Sequence, residues 1–386
     1  MKYILCFAIL LFTYLAGKAQ YNVTFRLGKY PLPHANDSIF IAGNFTGWIP
    51  NNNTYSLSWG NGNAFLLNLK LPAGEYEYKC TRGSWKKVEC LNYGIDIENH
   101  GFEIYSDTTI EINIEAWKDD FADVVKKHTA SKQVHVMDTA FFIPQLNSNR
   151  RIWIYLPEGY LTTKKYFPVL YMQDGQNLFD AATSAYGEWG IDECLDSLIK
   201  SGKPACIVVG IDNSPQRLAE YNPYQFQNFG MGEANQYLSF LVETLKPFID
   251  KKYRTLVNKD NTIIAGSSMG ALVSYYAMLK YPAVFGKAGI FSPSFQTAPA
   301  IKLLTDSAAS NISSKFFFYI GQKEGDAFVK NLEEIQELLG EKSDAMIYSV
   351  VDAAGRHNEK AWRKWFPEFY RWIMADGFNT IIKVND

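Results

Sequence analysis

Two rhythms of apolar residues divide this chain. From residue 20 to 118 the apolar positions come in short alternating runs, such as Ser38-Ile39-Phe40-Ile41-Ala42 and Thr108-Thr109-Ile110-Glu111-Ile112-Asn113-Ile114, separated by clusters of Gly, Asn and Pro. Alternation with period two marks strands buried on one face, so this part predicts an all-β domain. Residues 119–134 turn charged and polar, with Asp119-Asp120 and then Lys126-Lys127-His128, as a domain junction should. Beyond it Arg151-Ile152-Trp153-Ile154-Tyr155-Leu156 alternates again, whereas Pro168–Met172, Ala205–Gly210 and Thr262–Gly266 are nearly unbroken apolar runs. Such runs suit strands covered on both faces. Amphipathic stretches at 188–200 and 233–251 lie between them, so strand and helix alternate. That order predicts an α/β domain over 135–386, a mostly parallel sheet flanked by helices.

The N-terminus has a different pattern. After Met1-Lys2-Tyr3 comes an apolar stretch from Ile4 to Leu15, then Ala16-Gly17-Lys18-Ala19-Gln20 with small residues where a signal peptidase cuts. Residues 1–19 are therefore expected to be a signal peptide, which makes the mature protein exported, periplasmic or secreted. The stretch is shorter than the roughly 20 residues a membrane-spanning helix needs, and no later segment is expected to span. The 38 basic residues against 40 acidic, with no long basic run, offer no footing for nucleic acid. Four cysteines remain after the leader. Cys80 and Cys90 flank a turn at 81–84, export permits a bridge between them, and their pairing is open; Cys194 and Cys206 are expected as buried thiols.

The chemistry centres on Gly266-Ser267-Ser268-Met269-Gly270, placed where the run 262–265 ends and a helical pattern from Ala271 to Leu279 begins. Two glycines allow a tight strand-to-helix turn that lifts a serine above the sheet, and the helix N-terminus behind it favours developing negative charge. Ser268 alone has glycine at both −2 and +2, which makes it the candidate nucleophile and leaves Ser267 a supporting place. A serine needs a general base, and in this arrangement the base follows the nucleophile and an acid in chain order. His34, His100, His128 and His135 all precede Ser268, leaving His357. The acid is sought after the strand Phe316–Ile320: Glu324 is preferred over Asp326, with Asp352 third. Backbone N–H groups of Met269 and of Gln176, in the loop after the strand ending at Met172, are the candidate oxyanion donors. No metal or cofactor enters this chemistry.

Residues 150–375 resemble the esterase family that includes esterase D, enterochelin-type esterases, feruloyl and acetyl xylan esterases, and the mycolyltransferases. The matching pieces are Phe167–Gln176, Trp189-Gly190-Ile191-Asp192, Val209–Asn213 with Arg217 and Glu220-Tyr221, the elbow, Gly321-Gln322-Lys323-Glu324, and His357. The resemblance implies an α/β-hydrolase fold, a Ser-acid-His triad without metal, an acyl-enzyme intermediate, and ester or thioester substrates. Many relatives carry His-Gly where this chain has Asp174-Gly175, which bears on the oxyanion donor. Asp174, Arg217, Glu220 and Tyr221 lie at the sheet edge where ligands enter, and are expected either to shape the substrate pocket or to hold their loop by a buried salt bridge. The first domain, through Ile41–Trp48 and Tyr76–Glu89, resembles the glycogen-binding family 48 carbohydrate-binding modules, which implies an immunoglobulin-like early-set sandwich. That resemblance implies glycan contact by Trp48, Lys79 and Trp85. The joint expectation is an exported serine esterase that removes acetyl or feruloyl groups from carbohydrate. A siderophore-type or general small-ester esterase, and a non-catalytic glycan-binding protein, are the alternatives.

Overall fold

The computed structural model describes residues 20–60, 64–94, 96–97, 99–121, 126–184, 187–226, 230–375 and 382–385; the expected signal peptide lies outside these. The chain divides into two compact units, residues 1–124 and 125–386.

Every regular element of more than three described residues in the first unit is a strand. Gln20–Leu27 pairs antiparallel with Ala64–Pro72 and parallel with Thr108–Ile112, and Ser58–Gly60 completes that sheet. A second sheet joins Phe40–Gly43, Gly74–Thr81 and His100–Ile104. Alternation decides what faces inward: Val23, Phe25 and Leu27 enter the core with Ile41, Tyr78, Cys80, Ile104 and Trp117. Arg26, between two of them, turns outward to pair with Glu111 at 2.8 Å. Cys80, Cys90, Cys194 and Cys206 are free, so the pairing left open for Cys80 and Cys90 is not made.

The stretch 119–134 is held on each side. Asp119 and Asp120 belong to the first unit, where they engage Arg82 and His34. From Lys126 onward the chain is bound to the second unit: His128 Nδ1 lies 2.7 Å from Asp180 Oδ2, and Ser131 N–H donates to Asp192 Oδ2 at 2.6 Å.

Among the described residues, the second unit is built on nine strands. In chain order they are β1 (Val134–Ile143), β2 (Ser148–Tyr155), β3 (Val169–Gln173), β4 (Ile207–Ile211), β5 (Thr262–Ser267), β6 (Lys287–Phe291), β7 (Lys315–Gly321), β8 (Met346–Asp352) and β9 (Ile382–Asn385). They lie side by side as β1-β2-β4-β3-β5-β6-β7-β8-β9. The β1–β2 and β2–β4 pairs are antiparallel and every later pair is parallel. The unbroken apolar runs occupy the middle of this sheet. Every residue of β3, β4 and β5 is buried, because helices cover both faces. One face packs against the helix Met269–Lys280 around Leu272, Tyr275 and Ala277, the other against the helix Glu359–Met374 through Phe366, Phe369 and Tyr370. Parallel strands present all their C-terminal ends at one edge, and the loops leaving β3, β5, β6, β7 and β8 carry the polar residues considered next. This is an α/β-hydrolase-like fold.

Candidate active site

Ser268 sits at φ 57° and ψ −121°, a strained conformation for a residue with a side chain, at the head of the helix Met269–Lys280. The turn is tight because its flanks have no side chains. A Cβ on Gly266 would lie 2.7 Å from the Gly270 carbonyl group, and one on Gly270 would lie 3.0 Å from Asp174 Oδ2. Ser268 N–H donates to the Phe291 carbonyl at 2.9 Å, and Ser268 Oγ lies 3.1 Å from Ser294 Oγ. Ser267, the last residue of β5, is buried beneath it.

The acid and base come from the next strands across. Glu324 follows β7 in a short turn and is buried. Its Oε1 accepts from Gly321 N–H at 2.8 Å and from Ser292 Oγ at 2.6 Å, which leaves Oε2 to face His357 Nδ1 at 2.7 Å. A carboxylate only accepts, so Nδ1 holds the proton and Nε2 is the basic nitrogen of the ring. Trp362 stacks edge-on against the His357 ring at 5.2 Å, and its Nε1–H donates to Ser292 Oγ at 2.9 Å. The other two carboxylates weighed for this place are engaged elsewhere. Asp326 is exposed and accepts from Gln322 Nε2 at 2.7 Å, while Asp352 Oδ2 accepts from Trp365 Nε1 at 2.8 Å and Lys364 Nζ at 2.9 Å.

Sequence reading did not single out Ser292, Ser294 or Trp362. A signal for the two serines was present: Ser292-Pro293-Ser294 follows directly on the buried run of β6, at the edge where ligands enter an open α/β sheet.

The two expected oxyanion donors lie on adjacent loops. Met269 is the first residue of its helix, so its N–H has no carbonyl one turn earlier to receive it. Gln176 lies in the turn Gly175–Asn177 after β3; its carbonyl accepts from Thr183 Oγ1 at 2.8 Å and its Oε1 from Asn213 N–H at 3.2 Å. Among the described residues no acceptor takes Gln176 N–H. Asp174, also at positive φ, is clamped by Arg217, with Nε to Oδ1 at 2.7 Å and Nη2 to Oδ2 at 2.8 Å, and Asn213 Nδ2 adds a third bond at 2.6 Å. This bidentate pair fixes the β3 loop beside the elbow. Glu220 and Tyr221, weighed as pocket walls, are 3% and 0% exposed. Glu220 is ion-paired with buried Arg150, and the Tyr221 ring supports the Arg217 guanidinium 5.2 Å from its centre. Both side chains are enclosed within the fold.

In the first unit Trp48 and Trp85 are half-buried with ring centres 6.4 Å apart, and Lys79 Nζ donates to the Ile97 carbonyl. Among the described residues no helix is long and apolar enough to cross a membrane.

A solved enterobactin esterase of Shigella flexneri shares the fold at a TM-score of 0.54 and 14% identity, over 91% of this chain and 92% of that one. An uncharacterized protein of Bacillus subtilis, YbbA, is 28% identical over 250 residues, covering 60% of this chain and 96% of that protein. An endo-1,4-beta-xylanase/feruloyl esterase of Xylanibacter ruminicola is 28% identical over 217 residues, 55% of this chain and 27% of that longer protein. Residues 143–373 match the family described as "Putative esterase", a range that spans β2 to β8 and every loop of the site, and the chain belongs to that esterase family.

Proposed function

We propose that the chain is an exported serine carboxylic ester hydrolase whose triad is Ser268, His357 and Glu324. The observation that carries this reading is the arrangement of one sheet edge: a strained serine at a strand-to-helix elbow, and two strands away a buried carboxylate that orients the only histidine following it. Ser268 Oγ attacks the ester carbonyl as His357 Nε2 takes its proton. The oxyanion rests on the N–H groups of Met269 and Gln176. His357 then gives the proton to the departing alcohol, leaving an acyl-Ser268 ester. A water, deprotonated by His357, releases the acid and restores the serine. Glu324 holds the imidazole tautomer and stabilises its charged form.

The substrate reading is an acyl group on carbohydrate, acetyl or feruloyl. It is supported by the likeness to a xylanase/feruloyl esterase and by the two half-buried tryptophans of the first unit, flat apolar surfaces of the kind sugars stack on. The test is hydrolysis of para-nitrophenyl acetate, methyl ferulate and acetylated xylan by wild type and Ser268→Ala. Activity on ferulate or xylan that disappears in the variant is the expected result. Activity on para-nitrophenyl acetate alone would keep the triad and replace the carbohydrate substrate by a small or siderophore ester. No activity on any of them would leave a glycan-binding protein.

A further inference from the structure

Glu188, Asp192 and Glu193 take no part in the reaction above. One carboxylate oxygen from each lies within 4.8 Å of the other two, where Asp192 and Glu193 open the helix Ile191–Lys200. Asp192 has no solvent exposure. Its Oδ2 is taken by Ser131 N–H, yet its Oδ1 is enclosed with no hydrogen-bond partner, and so is Glu193 Oε2. Glu188 is fixed from outside the group: Oε1 accepts from Thr129 Oγ1 at 2.8 Å, and Oε2 lies 3.6 Å from Arg363 Nη1.

A buried carboxylate oxygen with no partner forfeits its hydration and receives nothing in exchange, which makes two from one cluster a feature in need of a cause. The helix N-terminus offsets part of one charge, and a single guanidinium at 3.6 Å does not balance three carboxylates. The spacing supplies the remedy. A calcium–oxygen bond is roughly 2.4 Å, so oxygens up to about twice that distance apart can share one ion, and an all-oxygen donor set selects a hard cation.

We propose that Glu188, Asp192 and Glu193 bind one divalent cation of the calcium type, structural in role, which ties the segment Thr129–Ser131 to the head of the helix Ile191–Lys200. Asp192 Oδ1 and Glu193 Oε2 find their missing partner in the ion. The proposal does not depend on the catalytic reading.

The experiment uses the full chain, stripped with EDTA, dialysed, and titrated with calcium chloride by calorimetry alongside thermal melts. One ion binds per chain, and at a hundredfold excess over Kd the melting temperature rises by about 5 °C or more. Glu193→Gln weakens binding roughly tenfold or more, since affinity follows the number of charged ligands. In EDTA the same variant melts no lower than wild type, because a like charge has been removed, so its weakened binding cannot be put down to misfolding. Asp192→Asn removes the binding. Absence of both heat and melting shift with calcium, magnesium and manganese would overturn the proposal in favour of a proton shared between the carboxylates. Binding that is unchanged in Glu193→Gln and Asp192→Asn would overturn it by placing the ion elsewhere.

Discussion

Ser268 holds a backbone conformation that only its surroundings make tenable, and the motif around it was readable because glycine alone fits where Gly266 and Gly270 approach each other and the β3 loop. The order of residues also singled out His357. The acid proposed for it was less legible: Glu324 and Asp326 are two residues apart, and their propensities do not separate them. What separates them is which oxygen has somewhere to go. Gly321 N–H and Ser292 Oγ turn Glu324 toward His357, while Asp326, opening the next helix, turns back to Gln322. Ser292 follows β6, so no local pattern around Glu324 could announce it. Glu324→Gln replaces an acceptor with an amide that can donate to Nδ1 and stabilise the wrong tautomer; kcat on para-nitrophenyl acetate falls roughly 10²- to 10⁴-fold. Asp326→Asn leaves kcat within about twofold, a silent surface change of the kind expected away from any reacting group. The reverse ranking would give the role to Asp326.

At the scale of elements, helix and strand followed from the period of the apolar positions, but their ends did not. The helix after His357 begins at Glu359, one turn ahead of its first large apolar residue Trp362, because the Asn358 side chain accepts the Ala361 N–H at 3.0 Å and caps it. That extra turn brings Glu359 inside. The residue is 8% exposed, and burial raises its carboxyl from an ordinary 4.5 to about 7, with His357 and Arg217 pulling it down and Asp174 pushing it up. A carboxyl with a raised folded-state pKa stabilises the fold fully below its unfolded value, and that contribution is lost as pH rises toward 7. Glu359→Gln removes the group, so the variant is more stable than wild type at pH 8, by up to on the order of 3 kcal/mol, and the gap closes toward pH 4.5. Urea unfolding of both proteins at the two pH values measures it. A stability difference that does not change with pH would show that Glu359 is not buried in the way described.

For the molecule as a whole, the contrast between alternating and unbroken runs was enough to separate an all-β unit from an α/β unit. The stretch between them looked like a plain junction because its residues are polar. They are polar because Asp119, Asp120, His128 and Ser131 are spent on ion pairs and hydrogen bonds to one unit or the other. The strand order was not legible either, since β3 meets β4 and β5 through pairings that no local pattern records. That order nevertheless determines the function proposed here, because it sets β5, β6, β7 and β8 side by side and so brings Ser268, Ser294, Glu324 and His357 to one edge. Reaction of the intact protein with a fluorophosphonate, followed by mass spectrometry and peptide mapping, tests this most directly. One adduct per chain, mapped to Ser268, absent from Ser268→Ala and slow to form in His357→Ala, is the predicted result; a protein that stays unlabelled, or is labelled at Ser267 or Ser294 instead, would contradict it.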